Sequence, residues 1–265
     1  MSLAALALAA CVAAGPAPAV AILIDDIGYQ IAADLSALGL PGAFSYAVLP
    51  HAPHSARFVA AARALRRDSL LHLPMEAEVR NGLLGPGALT HGMTKAAIVD
   101  TLDKALASVP AVVGISNHMG SRLTREQRPM DILAREVAGK PALFFVDSRT
   151  TARTVAAHVM RQRGVPTLER DVFLDNLRRP AAIRQQLATL IARAKRQGFA
   201  LGIGHPYRET LAVLRAWRPV ADQVRLVRIS DLLTLPKAVV TPVQGATDCA
   251  TLPRNGQVSR EQAPS

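Results

Sequence analysis

The sequence predicts an α/β fold in which a parallel sheet closes into a (β/α)7-8 barrel. Short apolar runs rich in β-branched residues alternate along the chain with longer amphipathic stretches, which is typical of repeated strand-helix units. The chain has 265 residues, half of them hydrophobic, and this suits one large domain better than two small ones. An open, doubly wound sheet is the alternative. It is less favoured because no glycine-rich phosphate loop follows the first run.

Eight apolar runs are the predicted strands, and each has the length of a buried strand. They occupy residues 19–25, 42–49, 68–74, 111–117, 142–147, 168–174, 199–204 and 224–229. The segments between them include TKAAIVDTLDKALA at 94–107 and PAAIRQQLATLIARAKR at 180–196, whose amphipathic pattern predicts helices.

The two ends of the chain differ from this central region. Residues 1–18, MSLAALALAACVAAGPAP, are small and apolar and resemble an export segment, although a basic amino-terminal region is missing. The run that ends at Cys11 resembles a lipoprotein cleavage box, which would tether the chain to a membrane. Residues 236–265 lack periodicity and are predicted to be a disordered tail. We therefore expect one barrel domain at 19–235 in an exported protein, periplasmic or attached to the cell envelope. Neither Cys11 nor Cys249 is expected to be a catalytic thiol, because both lie in these end segments.

The formal net charge of +11 favours an anionic surface, polymer or membrane face as a partner. Nucleic acid is not expected, because the basic residues are spread thinly, aromatic residues are only 4% and no nucleic-acid-binding motif is present. An arginine-rich codon bias would explain the charge equally well. The oligomeric state cannot be inferred from these features.

Polar residues collect at the carboxyl ends of the predicted strands, and in a parallel barrel those ends share one face. The residues concerned are Asp25 and Asp26, His72, Asn117 and His118 with Ser121, Asp147 and Ser148, Arg170 and Asp171, Asp175, and His205. Two adjacent acids at the end of a buried strand are costly unless they have a chemical use, such as metal binding and proton transfer. The structural alternative is that one acid caps the next helix and the other is solvated.

These blocks resemble the divergent polysaccharide deacetylases, distant relatives of the NodB-type carbohydrate esterases. The resemblance runs from about residue 20 to residue 233. It is carried by Ile24-Asp25-Asp26-Ile27-Gly28, His72-Leu73-Pro74-Met75-Glu76, Asn117-His118-Met119-Gly120-Ser121, Phe144-Phe145-Val146-Asp147-Ser148, Arg170-Asp171-Val172-Phe173-Leu174-Asp175 and Ile203-Gly204-His205-Pro206. It implies an irregular (β/α) barrel of the NodB-like type with a catalytic cleft at the strand ends. It also implies a divalent metal, commonly zinc, held by one Asp and two His. It also implies that Asp25 acts as the base and that Asp26 binds the metal.

The sequence departs from the family pattern after the third strand. Where the family has a second His four positions after the first, this chain has Glu76. We predict Asp26, His72 and His118 as ligands of a divalent metal, most simply zinc, with Glu76 as a substitute ligand or an outer partner. The alternative is that Glu76 ties down a loop and no metal binds.

The resulting hypothesis is metal-assisted hydrolysis of the acetamide of an N-acetyl sugar in a polysaccharide or peptidoglycan-type glycan. Asp25 would remove a proton from water, and His205 would protonate the leaving amine. Asp171 or Asp147 would orient His205. Binding of the oxyanion or of sugar hydroxyls would fall to Asn117, Ser121 and Ser148.

Two other classes of function stay open at this point. A barrel without activity could serve as a glycan-binding or scaffold protein of the envelope, as the missing second histidine and the scarcity of aromatic residues suggest. A serine hydrolase could use Ser121 or Ser148 as the nucleophile with His205 as base, although no Gly-x-Ser-x-Gly motif surrounds either serine.

Overall fold

The computed structural model describes residues 16–235, and its strands and helices alternate as the sequence predicts. The strands are β1 Ala19–Ile27, β2 Ser45–Val48, β3 Ser69–Met75, β4 Gly114–Met119, β5 Phe144–Asp147, β6 Thr167–Glu169, β7 Val172–Phe173, β8 Phe199–Gly204 and β9 Arg225–Leu226. The helices are α1 Ile31–Leu38, α2 Ser55–Ala64, α3 Lys95–Ser108, α4 Gln127–Ala138, α5 Ala156–Gln162, α6 Pro180–Gln197 and α7 Arg208–Ala216, with short 3₁₀ turns at Asn81–Leu83, Leu123–Arg125 and Ser230–Thr234. Cys11, Cys249, the predicted tail and nearly all of the predicted export segment lie outside the described residues.

All the strand pairs are parallel, in the order β6-β5-β4-β3-β2-β1-β8-β7, and β9 pairs with the first residues of β1. The two outermost strands of this order, β6 and β7, are consecutive in the chain. Between them the Arg170 amide donates to the Asp147 carbonyl at 3.0 Å, and the Asp171 amide donates to the Leu201 carbonyl at 2.9 Å. These bonds join β5 to β8, so the sheet curls into an irregular barrel. The predicted fold class is confirmed, and the open doubly wound alternative is wrong.

The sixth predicted strand, 168–174, is broken in two in the structure. Its first half pairs with β5 and its second half with β8, so the chain changes partner at Arg170 and Asp171. The eighth predicted strand, 224–229, is also shorter than expected, because only Arg225 and Leu226 join the sheet. The six other predicted strands are each present.

Alternation along β1 divides the hydrophobic residues into two layers. Val20, Ile22 and Ile24 pack in the layer between the sheet and the helices. Ala21 and Leu23 belong to the other layer, which fills the barrel interior together with residues such as Leu70, Phe144, Val146, Leu201, Ile203 and Ile229. A polar residue that continues the second series at a strand end therefore lies over the interior of the barrel.

The helices cover the outside of the sheet with one apolar face each. In α4 the buried residues recur every three or four positions, as an amphipathic helix requires: Pro129, Met130, Leu133, Ala134 and Val137. The predicted helix at 94–107 corresponds to α3, whose first turn is capped by Thr94 Oγ1 accepting from the Ala97 amide at 3.2 Å. Within residues 16–235, no helix combines the length and hydrophobicity needed to cross a bilayer.

The turn after β1 requires glycine at position 28. Gly28 has φ +132°, and a Cβ placed there would lie 2.4 Å from Ser55 Oγ and 2.9 Å from Ala52 Cβ. We expect Gly28→Ala to lower the free energy of unfolding by about 1–3 kcal/mol, through backbone strain and overpacking. Denaturant unfolding measures the loss. Gly82→Ala is the control, because nothing lies within 4 Å of its added Cβ, and equal losses in both variants would contradict the explanation.

Candidate metal and acid-base site

The carboxyl ends of β1, β3, β4 and β8 bring one aspartate and three histidines together. Asp26 Oδ1 lies 2.9 Å from His118 Nδ1 and 3.3 Å from His72 Nε2. Its other oxygen, Oδ2, lies 3.6 Å from His205 Nε2. One ligand atom each from Asp26, His72 and His118 lies within 4.8 Å of the others. The structure therefore gathers the three predicted ligands around one point.

Strand alternation and one left-handed residue explain how both acids reach the same place. Asp25 continues the inward series of Ala21 and Leu23, so its side chain lies over the barrel interior. Asp26 should point the opposite way, but its φ is +61° and the register with β2 shifts between Ile24 and Ile27. This bulge turns the Asp26 carboxylate back toward the site. A left-handed non-glycine residue is costly, and such strain concentrates at functional sites.

His72 is held in the neutral form that a metal ligand needs, and both ligand histidines have a polar contact on their second nitrogen. Burial lowers the pKa of His72 to about 4, so the imidazole is neutral at pH 7. Its second nitrogen, Nδ1, lies 2.8 Å from Ser116 Oγ, and His118 Nε2 lies 3.4 Å from the Leu83 carbonyl oxygen. Contacts of this kind orient histidine ligands around a metal.

The Asp26 carboxylate completes the donor set. Burial opposes ionisation of this group, but the neighbouring His118 and His72 imidazoles outweigh burial and hold its pKa well below the usual range. Oδ1 is buried close to both rings, and among residues 16–235 no donor is aligned well enough to form a hydrogen bond with it. An anionic oxygen with a free lone pair beside two imidazole nitrogens fits a zinc-type site that keeps one coordination position open.

Asp25 is suited to accept a proton. It is 3% exposed, and among the described residues its Oδ1 has no hydrogen-bond partner. Burial raises the pKa of Asp25 well above its usual range, although the positive charge of His205 lowers it in part. A carboxylate with raised proton affinity and a free oxygen has the properties of a general base.

His205 is held by Asp175, which comes just after β7. The His205 backbone amide donates to Asp175 Oδ2 at 2.6 Å, and its Nδ1 lies 3.0 Å from Oδ1. Thr210 Oγ1 also donates to Oδ2 at 2.8 Å. Burial opposes the charged form of His205, but the hydrogen bond with Asp175 and the negative charge of Asp26 outweigh it and raise the pKa to about 9. The imidazole is therefore protonated at neutral pH, with Nε2 directed toward Asp26.

We expect Asp175→Asn to lower the pKa of His205 toward its ordinary value of 6.5, because the variant loses the negative partner of Nδ1. In the wild-type protein, protonation of His205 stabilises the fold fully below pH 6.5, and this contribution is lost as the pH rises through 9. Titration of the metal-free protein by NMR measures the shift. Asp171→Asn is the control, and an equal shift in that variant would contradict the assignment.

The two acids predicted to orient His205 have other partners, so that prediction is corrected. Asp171 Oδ2 accepts from the Leu201 amide at 2.9 Å, at the break between β6 and β7 where the barrel closes. Asp147 belongs to the outward series of β5, and Oδ2 accepts from Thr154 Oγ1 at 2.8 Å and from the Ala157 amide at 3.3 Å. It therefore fixes the start of α5 instead of reaching the site.

Glu76 ties loops together, as the alternative interpretation expected. Its Oε2 accepts from the His91 backbone amide at 2.8 Å and lies 2.9 Å from His91 Nδ1, and its Oε1 lies 3.0 Å from Arg122 Nη1. Within residues 16–235 the group of possible metal ligands around Asp26 does not include Glu76. The prediction that Glu76 is a substitute metal ligand is therefore wrong.

Of the three residues predicted to bind the oxyanion or sugar hydroxyls, Asn117 and Ser121 use their side chains to brace the backbone, and Ser148 does not. Asn117 Oδ1 accepts from the Ser148 amide and its Nδ2 donates to the Met119 carbonyl, both at 2.8 Å. Ser121 Oγ accepts from the Glu78 amide at 3.0 Å. Ser148 Oγ is buried and, in the part of the chain that the structure describes, has no partner. His205 is in contact with neither serine here, so the serine hydrolase alternative gains no support.

Two aromatic rings and two arginines surround His205, and the sequence did not predict a role for them. The Tyr207 ring stacks on His205 with centroids 5.1 Å apart, and Phe173 lies 5.3 Å from His205. The Arg178 guanidinium covers Tyr207 at 3.5 Å, and Arg170 lies over Phe173 at 4.9 Å. Polar residues at strand ends do not indicate these aromatic side chains. Phe173 could have been found by alternation, because Phe173 and Asp175 lie two positions apart and face the barrel interior together.

Comparisons with known proteins agree with this fold. The family model described as divergent polysaccharide deacetylase matches residues 22–233. An uncharacterized protein of Haemophilus influenzae is 34% identical over 220 residues, which cover 83% of this chain and 78% of that protein. The uncharacterized protein YibQ of Escherichia coli is 36% identical over 256 residues, which cover 94% and 77% of the two chains. The crystal structure of an uncharacterized Agrobacterium tumefaciens protein superposes with a TM-score of 0.78 at 24% identity, over 82% of this chain and 90% of that one.

Proposed function

The chain belongs to the divergent polysaccharide deacetylase family, and from this premise we propose that it is a metal-dependent hydrolase that removes acetyl groups from the N-acetyl sugars of a glycan. The observation that carries the proposal is the meeting of Asp26, His72 and His118 beside Asp25 and His205. One set of donors suits a divalent cation. The two remaining groups are a carboxylate with raised proton affinity and a histidine held protonated. Metal-assisted amide hydrolysis uses these functions together.

Asp26, His72 and His118 would hold the ion, and zinc suits a set of one carboxylate and two imidazoles. When bound, the ion would supply Lewis acidity toward the acyl oxygen of the substrate. The chain supports this arrangement by keeping His72 neutral and by fixing it through Ser116. Glu76 stays outside the donor set and holds the neighbouring loop through His91 and Arg122.

The proton transfers would belong to Asp25 and His205. Asp25 would take a proton at Oδ1 from the attacking water, whose oxygen bonds to the acetyl carbon. His205 would give its Nε2 proton to the sugar nitrogen as the carbon-nitrogen bond breaks, so acetate and the free amine leave. Asp175 keeps Nδ1 of His205 engaged, which leaves Nε2 as the nitrogen facing the reaction.

The rim of the site offers surfaces for a sugar ring. Tyr207 and Phe173 form an aromatic wall beside His205. Three further apolar side chains, Tyr29, Leu83 and Leu177, are 47%, 66% and 56% exposed, and they lie in the loops that follow β1, β3 and β7. The apolar face of a sugar packs on such side chains while its hydroxyls stay in water. We place the activity in the cell envelope, in line with the export segment expected from the sequence.

Acetate release from N-acetylated oligosaccharides and from peptidoglycan tests the proposed function. We expect zinc-loaded protein to release acetate, and a chelator to stop the release until zinc is restored. His205→Gln is the matched variant, and it should lower the rate by about 10²–10⁴-fold with its zinc content unchanged. Glycan binding without any release of acetate would instead favour the scaffold interpretation, and release that is insensitive to chelation would contradict the role of the metal.

A further inference from the structure

A cavity lined by several arginines lies at the end of the barrel opposite the Asp26 site, where β3 and β4 begin. It has a volume of about 430 Å³, within the range of roughly 300–1,000 Å³ of small-molecule sites. Four arginines and one aspartate supply its charged lining: Arg63, Arg66, Arg67, Arg228 and Asp68. None of these residues belongs to the site of Asp26, because that site is built on the carboxyl ends of the strands.

The acids at this end are already paired with Arg228. Its guanidinium lies 2.8 Å from Asp231 and 3.9 Å from Asp68, and Asp68 also accepts from the Ser230 amide at 2.9 Å. Among residues 16–235, no carboxylate lies within ion-pair distance of Arg63, Arg66 or Arg67. Three positive charges around the cavity are therefore left without a negative partner.

Arg67 is fixed in place without being neutralised. Its Nη1 donates to the Leu38 carbonyl and to Tyr46 Oη, and its Nη2 donates to the Leu40 carbonyl, each at 2.6 Å. All three acceptors are neutral, because burial raises the pKa of Tyr46 and keeps the phenol protonated. A guanidinium held this way keeps its full charge and loses little freedom when an anion binds.

The backbone around the cavity is strained in two places. Arg66 has φ +54° and Ala111 has φ +66°, so two lining residues adopt the left-handed conformation without being glycine. The conformation of Arg66 places a long cationic side chain at a position where Gly or Asn would be less costly. Strain of this kind persists where the surrounding structure requires it, and ligand sites are common locations.

We propose that this arginine cavity binds a phosphate group. Phosphate offers several strong acceptor oxygens and up to two negative charges, and arginine side chains match it with paired N–H donors. A carboxylate has only two oxygens and one charge, so it would leave part of the excess positive charge unmatched. The phosphate could belong to a free anion, a phosphorylated polymer or the headgroup of an anionic lipid.

Binding of inorganic phosphate to the whole chain, measured by calorimetry at fixed ionic strength, tests the site. We expect saturable binding that weakens at least about tenfold in Arg63→Gln/Arg66→Gln, because both side chains are exposed and unpaired and their loss spares the fold. Arg67 is left intact, since it supports the backbone. Lys195→Gln/Arg196→Gln removes the same charge from the same end of the barrel outside the cavity, and it should bind as the wild type does.

Sedimentation with phosphatidylglycerol vesicles and with neutral phosphatidylcholine vesicles separates the sources of the phosphate. Sedimentation with the anionic vesicles only, lost in the Arg63/Arg66 variant, assigns the site to a lipid headgroup. Binding of free phosphate without vesicle binding assigns it to a soluble or polymer phosphate. The proposal is overturned if neither ligand binds, or if the Lys195/Arg196 variant loses as much affinity as the Arg63/Arg66 variant, because general electrostatic attraction would then suffice.

Discussion

The purified protein is expected to carry about one equivalent of zinc, and Asp26→Ala/His118→Ala is expected to lose it. The double variant retains only His72 of the three candidate ligands. Removal of a residue that merely supports a metal ligand already lowers metal affinity by up to about a hundredfold. Removal of two ligands should therefore lower zinc affinity by more than about a hundredfold. Elemental analysis after exhaustive dialysis measures the content, and titration with a zinc indicator measures the affinity.

Two control variants test whether the loss of zinc is specific to the removal of Asp26 and His118. His158→Ala/Asp100→Ala removes one imidazole and one carboxylate from exposed positions away from the site and should keep the metal. Glu76→Gln should also keep about one equivalent, because Glu76 contacts His91 and Arg122 instead of the donor group. Wild-type protein that binds no zinc or other divalent ion, even in excess, would contradict the proposed metal site. Loss of the ion in Glu76→Gln would return that residue to the ligand set.

Asp25→Asn is expected to lower the rate of acetate release by about 10²–10⁴-fold while the zinc content stays at about one equivalent. The amide has the shape of the carboxylate but cannot accept the proton at Oδ1. The variant should also unfold at an equal or higher temperature, because a buried acid that is costly to ionise is removed. A lower rate together with equal or greater stability distinguishes a catalytic role from a structural one.

Steady-state kinetics and calorimetry on the same preparations measure both quantities. Asp171→Asn is the matched control, because this acid carries the same charge but bonds to the backbone of β8. Its rate should stay close to that of the wild type. An Asp25→Asn protein with the full hydrolytic rate would exclude Asp25 as the base and leave the proposed proton transfer without an acceptor.

Much of the fold could be predicted from the sequence because the strand and helix periods are clear. The closure of the barrel could not, because it depends on Arg170 and Asp171 bonding to two different strands across a break. The predicted strand at 168–174 contains three consecutive charged residues, Glu169, Arg170 and Asp171, but they do not indicate that its two halves pair with different strands. Long-range pairing decides it, and local pattern alone cannot predict it.

The candidate site was predictable to the extent that strand ends share one face. Strand alternation would have improved the prediction of which residues face the site. Asp25 and His205 continue the inward series of Leu23 and Ile203. Asp147 instead continues the outward series of Phe145. Asp26 breaks this rule through its left-handed backbone, which its sequence neighbours do not indicate. The partner of His205 depends on where the chain turns after β7, so Asp175 could be identified only from the structure.

The position of β1 in the sheet has a consequence for how the molecule is made. One edge of β1 pairs with β8, and the other edge pairs with β9 near its start and with β2 further along. The first residues of β1 therefore pair only with β8 and β9, which begin at residues 199 and 225. A growing chain therefore holds an apolar strand whose β8 edge stays unpaired until most of the domain has been made. Asp26 and His205 meet only at that late stage. The proposed site is thus incomplete until the chain has passed β8, and a fragment that stops before β8 is expected to lack the site and to be prone to edge-to-edge aggregation.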